Sequence, residues 1–116
     1  MHFKLILVMV KDEMTQNILE AARDNGATGC TVINQARGEG IMPAKTFLGL
    51  SIDNHVDVIL LLVEEHRCTE ILKKIAEAGE FDETPGSGIA FQIDVEDAIG
   101  VRHQIEVLTE ELAEQA

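Results

Sequence analysis

Two runs of this chain are apolar at every position, Leu5-Ile6-Leu7-Val8-Met9-Val10 and Val58-Ile59-Leu60-Leu61-Leu62-Val63. A strand that covers a core on one side and meets water on the other alternates apolar with polar residues. Unbroken runs therefore predict strands buried on both faces. Helical spacing comes after each run. Behind the first, Lys11-Asp12 breaks the pattern, Asp12 is the expected cap, and Met14, Ile18, Leu19 and Ala22 recur on one face of a helix that Gly26 ends. Behind the second, Glu65–Ala78 places Cys68, Ile71, Leu72 and Ile75 on an inner stripe, with Gly79 as the expected stop. A further strand is predicted beyond each helix, over residues 30–36 and over Ile89–Val95.

The two halves superpose without a gap at an offset of 53 residues, so that Ile6 meets Ile59, Val10 meets Val63, Ile18 meets Ile71 and Gly26 meets Gly79. Duplication and similar packing demands explain this equally well. Either way, strand-helix-strand twice over predicts an α+β fold, a ferredoxin-like βαββαβ sandwich with a four-stranded antiparallel sheet and two helices on one face. At 116 residues the chain reads as a single domain, residues 1–116. Burying an aliphatic side chain is worth roughly 1.5 to 3 kcal/mol, so the apolar residues on the sheet's second face are expected to pack against other subunits. A short one-sided tail helix over 104–116 is predicted from Ile105, Leu108 and Leu112.

Composition narrows the partners. Nine basic against twenty-one acidic residues give a formal charge of −12, which repels phosphate backbones, and with no Trp, no Tyr and four Phe there is no base-stacking platform. Nucleic acid is not expected as a partner. The N-terminal apolar run is too short to span a membrane, so no direct insertion is expected. Cys30 and Cys68 lack a CxxC spacing and read as buried reduced thiols, which points to a cytoplasmic location.

Candidate chemistry is sparse. Gly38-Glu39-Gly40 and Gly86-Ser87-Gly88 are glycine loops at strand ends, where successive backbone N–H groups can cradle an anion, although such loops are more often plain turns. His66, Cys68 and His103 lack zinc spacing, and neither Ser51 nor Ser87 has a neighbouring His-Asp pattern. No catalytic residues are assigned, and the chain is not expected to be an enzyme. Residues 37–55 are long for a connector but too apolar for a disordered one. From Ile41 to Ile52 there is no acidic residue, and Lys45 stands among Met42, Phe47, Leu48 and Leu50. The plain reading is a hairpin extension that buries its apolar side on its own assembly. The sharper one is a docking tip formed by Ile41, Met42, Lys45 and Phe47.

The stretch from Gly26 to Gly40 resembles the "G-x-x-G-x-T-V…K-G-x-G" passage of the PII nitrogen-regulatory signal-transduction family, Val56–Val63 fits that family's third strand, and Gly86–Ile99 is similar to its "GDGKIFV" segment and the residues after it. The resemblance covers residues 3 to about 103. It implies a homotrimer with adenine nucleotides in the intersubunit clefts and a central loop that engages a target protein, a membrane transporter being the expected kind. Gly38, Glu39 and Gly40 would line the phosphate side, Gly86, Ser87 and Gly88 a second phosphate loop, Thr31 and Val63 the adenine, and Arg37 and Arg102 would supply cations. The sequence departs from the family at Ile89, where a lysine is usual, and at Gly100, where one of two arginines is usual, while Glu80, Asp82 and Glu83 precede the second loop. Each lost charge-assisted contact costs about 1.5 to 3 kcal/mol, so ADP or AMP is expected rather than ATP. Without tyrosine the loop cannot be uridylylated. The alternative is a metal-binding trimer of the divalent-cation-tolerance type, with His66, Cys68 and His103 as ligands.

Overall fold

The computed structural model describes residues 1–37, 46–47, 50–51, 55–103, 105–106 and 109–110. The expectations placed on Gly38, Glu39, Gly40, Ile41, Met42 and Lys45, and on Leu108 and Leu112 of the tail, lie outside the described residues. Strand β1 (Phe3–Lys11) leads through a 3₁₀ turn (Asp12–Met14) into helix α1 (Thr15–Asp24), and β2 (Thr31–Arg37) comes next. Strands β3 (Thr46–Phe47) and β4 (Leu50–Ser51) form a small antiparallel hairpin within the central segment, with Phe47 opposite Leu50. Strand β5 (His55–Glu64), helix α2 (Glu65–Gly79) and β6 (Gly88–Asp94) complete the trunk. Helical backbone recurs at residues 102–103, 105–106 and 109–110, where Ile105 N–H donates to the Val101 carbonyl at 3.0 Å. Among the described residues no helix is long and apolar enough to cross a membrane.

The main sheet is antiparallel in the order β2-β5-β1-β6, the ferredoxin-like arrangement. Its two apolar runs pair with each other at the centre, Val8 opposite Ile59 and Ile6 opposite Leu61. One face of that pair, Ile6, Val8, Val10, Ile59, Leu61 and Val63, is buried against Ile18 and Ala22 of α1 and Cys68, Ile71 and Ile75 of α2. Both helices therefore lie on this side.

The opposite face is the unusual one. Three rows cross it: Ile89, Met9, Val58 and Ile33; Phe91, Leu7, Leu60 and Thr31; and Ile93, Leu5 and Leu62. Between the ends of the sheet no charged residue stands on this face. Ile33 is 49% and Ile93 45% exposed, so large aliphatic groups meet solvent in the single chain.

Several local features differ from the sequence expectations. Of the two cysteines expected to be buried, only Cys68 is, while Cys30 is exposed just ahead of edge strand β2. Asp12 does not cap a helix with its side chain but begins the 3₁₀ turn, and α1 starts at Thr15. Thr15 is turned inward, where its Oγ1 donates to the buried Asp57 carboxylate at 2.6 Å, tying the entry of α1 to the start of β5. Thr15→Val keeps the shape and removes that donor from a buried carboxylate, an expected loss of about 1 to 3 kcal/mol that urea unfolding monitored by circular dichroism would measure.

Helix α2 does end at Gly79, its last helical residue, but the left-handed cap is Glu80 at φ 54 rather than a glycine. A methyl group at Gly79 would collide with the Phe81 ring, and one at Gly88 would lie 2.8 Å from Phe81 Cζ and 3.0 Å from the Met9 carbonyl oxygen. Both glycines make room for one aromatic ring. That ring roots the 80–88 loop between helix and strand.

A candidate ligand site divided between two sheet edges

The residues singled out in the sequence fall on two edges of the sheet. Thr31 and Arg37 belong to β2 at one edge, and the Gly86-Ser87-Gly88 loop enters β6 at the other. Both lie toward the same end: Gly88 pairs with Val10 and Val10 with Asp57, while the next row runs from Lys11 through Val56 to Ala36. Three strand spacings separate them, roughly 14 Å. Within one chain the two loops do not meet.

At the β6 edge, Gly86 has φ +78, a left-handed turn that glycine accepts without strain. The Ser87 hydroxyl is already committed, donating to the Glu80 carbonyl at 3.0 Å, and Ser87 N–H donates to the Thr84 carbonyl. Gly88 is held beneath Phe81. Ile89 stands on the uncovered face beside Met9 and extends the apolar row to the edge of this loop.

At the β2 edge, Thr31 is exposed and pairs with Leu60 on the uncovered face. Val63 lies on the other side of the sheet, 3% exposed in the core beneath the helices, so the structure does not bring these two together. Beside Thr31 a groove of about 280 Å³ opens between the end of α1 and the start of β2, lined by Leu19, Ala22, Arg23, Gly29, Cys30 and Leu61. Arg37 ends β2 opposite His55, where the central segment begins. Just before it the strand carries a bulge, with Gln35 at φ 59. An L-residue in that region costs about 1 to 2 kcal/mol. Neither the bulge nor the Gly79, Phe81 and Gly88 cluster is apparent in the sequence, where glycines read as punctuation and Gln35 carries no turn signal.

Arg102 lies outside both edges. It is exposed in the C-terminal stretch, with Nε 3.9 Å from Glu106. Phe47 lies in the β3–β4 hairpin.

The metal ligands of the alternative do not converge. Cys68 is buried in the core, where desolvation raises its pKa, His103 is fully exposed and its nearest acidic partner is Glu106 at 3.9 Å, and the His66 ring bonds to Glu64. Among the described residues one group could hold an ion, Glu64, Glu65 and His66, which are consecutive in the chain. Glu64 is better explained as a helix cap, since its carboxylate accepts from His66 N–H at 2.9 Å. The same carboxylate holds the His66 pKa above the ordinary imidazole value.

Comparison with solved structures places this architecture. CPII from Thiomonas intermedia K12, solved bound to ADP, AMP and acetate, superposes with a TM-score of 0.67 at 18% identity, over 87% of this chain and 93% of that one. Its apo form, described as a nitrogen regulatory PII-like protein, gives 0.63 at 17% identity over 82% and 90%. A PII-like signalling protein from Thermus thermophilus gives 0.60 at 22% identity over 81% and 86%. No curated protein matches the sequence. The family model for nitrogen regulatory protein P-II matches residues 3–105, nearly the whole trunk just described. The chain belongs to the nitrogen regulatory protein P-II family.

Proposed function

We propose that this protein is a cytoplasmic PII-type signalling trimer that binds an adenine nucleotide with few phosphates, ADP or AMP rather than ATP, between its subunits. The observation that carries this reading is the divided site: the two candidate loops lie on opposite edges of one sheet, at the same end, flanking an apolar face. Packing copies through that face sets the β2 edge of one subunit near the β6 edge of the next. Arg37, Thr31 and the groove beside it then face the Gly86-Ser87-Gly88 loop of a neighbour, with Gly38, Glu39, Gly40 and Arg102 contributing. The ADP and AMP named for the Thiomonas protein agree with the ligand class. Ile89, Asp82 and Glu83 around the second loop disfavour a third phosphate.

Occupancy of this site is read out through residues 37–55, whose tip, Ile41, Met42, Lys45 and Phe47, docks on a target protein, a membrane transporter being the favoured kind. The protein regulates and does not catalyse. Titration calorimetry with ADP, AMP and ATP tests the site. ADP or AMP should bind at one site per chain, and ATP about tenfold more weakly or worse, since one missing charge-assisted contact is worth that much. Binding of ATP as tight as ADP removes the phosphate argument. Stabilisation by zinc or copper with no response to any nucleotide overturns the reading.

A further inference from the structure

Strand β2 carries one residue more than its partner just before the central segment. Ile33 pairs with Val58 and Ala36 with Val56, so Asn34 and Gln35 together stand opposite Asp57, and Gln35 takes up the extra length at φ 59. Strand side chains alternate between faces, and a slip of one residue moves every later side chain to the other face. Ile33 and Val58 lie on the uncovered apolar face, whereas Asp57 is turned to the helices, as its bond to Thr15 fixes. With the bulge, Ala36 joins Val56 on the apolar face, and Arg37 joins His55 in the row of Asp57. Were the strand straight through Gln35, Arg37 would instead project onto the apolar face, on the side where Lys11 ends its neighbouring row.

We infer that Gln35 is a positioning residue: its left-handed bulge keeps the Arg37 guanidinium off the assembly face and aims it, at the root of the central segment, toward the ligand's phosphate. Bulges re-aim side chains in this way near functional sites. The inference rests on the nucleotide reading above for Arg37's role, but the facing of Arg37 has consequences of its own.

Five variants separate the possibilities. Gln35→Gly accepts the left-handed conformation, and deletion of Gln35 removes the extra residue while leaving Arg37 opposite His55. Gln35→Val, branched at Cβ, resists positive φ and favours a straight strand. In titrations with ADP, the glycine variant and the deletion should bind within about twofold of the parent, whereas Gln35→Val should bind about tenfold more weakly, as Arg37→Ala does, and adding Arg37→Ala to Gln35→Val should change nothing further. In light scattering over a dilution series, Gln35→Val should raise the concentration at which the assembly dissociates, and Gln35→Val with Arg37→Ala should restore it. Equal binding by the valine and glycine variants, losses that add in full, or a deletion that binds as poorly as Arg37→Ala would each overturn the inference. If the parent binds neither ADP nor AMP, the nucleotide reading fails, and the dissociation series alone decides: an unchanged midpoint in Gln35→Val, or a parent that is monomeric, overturns the inference. Should Gln35→Val fail to fold, the deletion compared with Arg37→Ala decides in its place.

Discussion

Leu60→Glu is expected to convert the proposed trimer into a folded monomer of the 12.7 kDa chain mass. Leu60 lies in the middle row of the uncovered face, with Leu7 on one side and Thr31 on the other. The chain's own core is built from the alternate residues Ile59 and Leu61, whose side chains face the helices. A glutamate at position 60 therefore leaves the helix-side packing intact and meets water in the free chain. In an assembly closed over this face it places an unpaired carboxylate from each subunit in an apolar contact, and the effective penalty of burying an ion is several kcal/mol even after relaxation. The formal charge of −12 on each chain adds repulsion of the same sign. Light scattering should report the monomer and circular dichroism an unchanged helix signal. A variant that still assembles at micromolar concentration shows that the subunits meet elsewhere.

Gly88→Ala has the largest effect expected within the fold itself. The added methyl overlaps the Phe81 ring and presses on the Met9 carbonyl oxygen of β1 at 3.0 Å. The backbone of a central strand cannot retreat, and the ring is hemmed in on its other side by Gly79. Overpacking of this kind costs about 1 to 3 kcal/mol. The effect should appear as a lower urea midpoint with unchanged slope, and Phe81→Leu in the same chain should recover part of it. Full stability in Gly88→Ala would mean that the loop repacks freely. A phosphate-binding role for this glycine would then have to be judged without the structural one.

Much of the architecture is legible in the sequence because apolar runs are a strong signal and helical spacing a distinct one. Leu5–Val10 and Val58–Val63 mark the central strands, and their lack of alternation marks a second apolar face. The same lack hides the phase of those strands: an unbroken run does not say which residues face the helices. Resemblance alone puts Val63 in a ligand cleft, whereas the structure puts it under α2 with Ile59 and Leu61. Phase is set by contacts distant in sequence, among them Thr15 with Asp57 and the packing of Ile59 and Leu61 beneath the helices. Glycines mislead in a different way. Gly79 reads as a helix stop and α2 does end there, but Glu80 adopts the left-handed cap and the glycine serves the Phe81 ring, a packing demand with no local signature. Arg37 is legible as a cation beside the central segment. The bulge that decides its face is not, since Asn34-Gln35 can lie in a straight strand.

The sheet order also governs how the polypeptide emerges from the ribosome. Strand β1 is made first but sits between the two strands made much later, Phe3 opposite Glu64 and Lys4 opposite Asp94. At a synthesis rate of 5 to 20 residues per second, about 60 residues of waiting is roughly 3 to 12 seconds before β1 finds its first partner. Through that interval the segment Leu5–Val10 is an uncharged, proline-free stretch of high β-propensity, the composition most prone to pair with a copy of itself. Lys4 and Lys11 flank it on either side and act as charged gatekeepers against that pairing until β5 arrives.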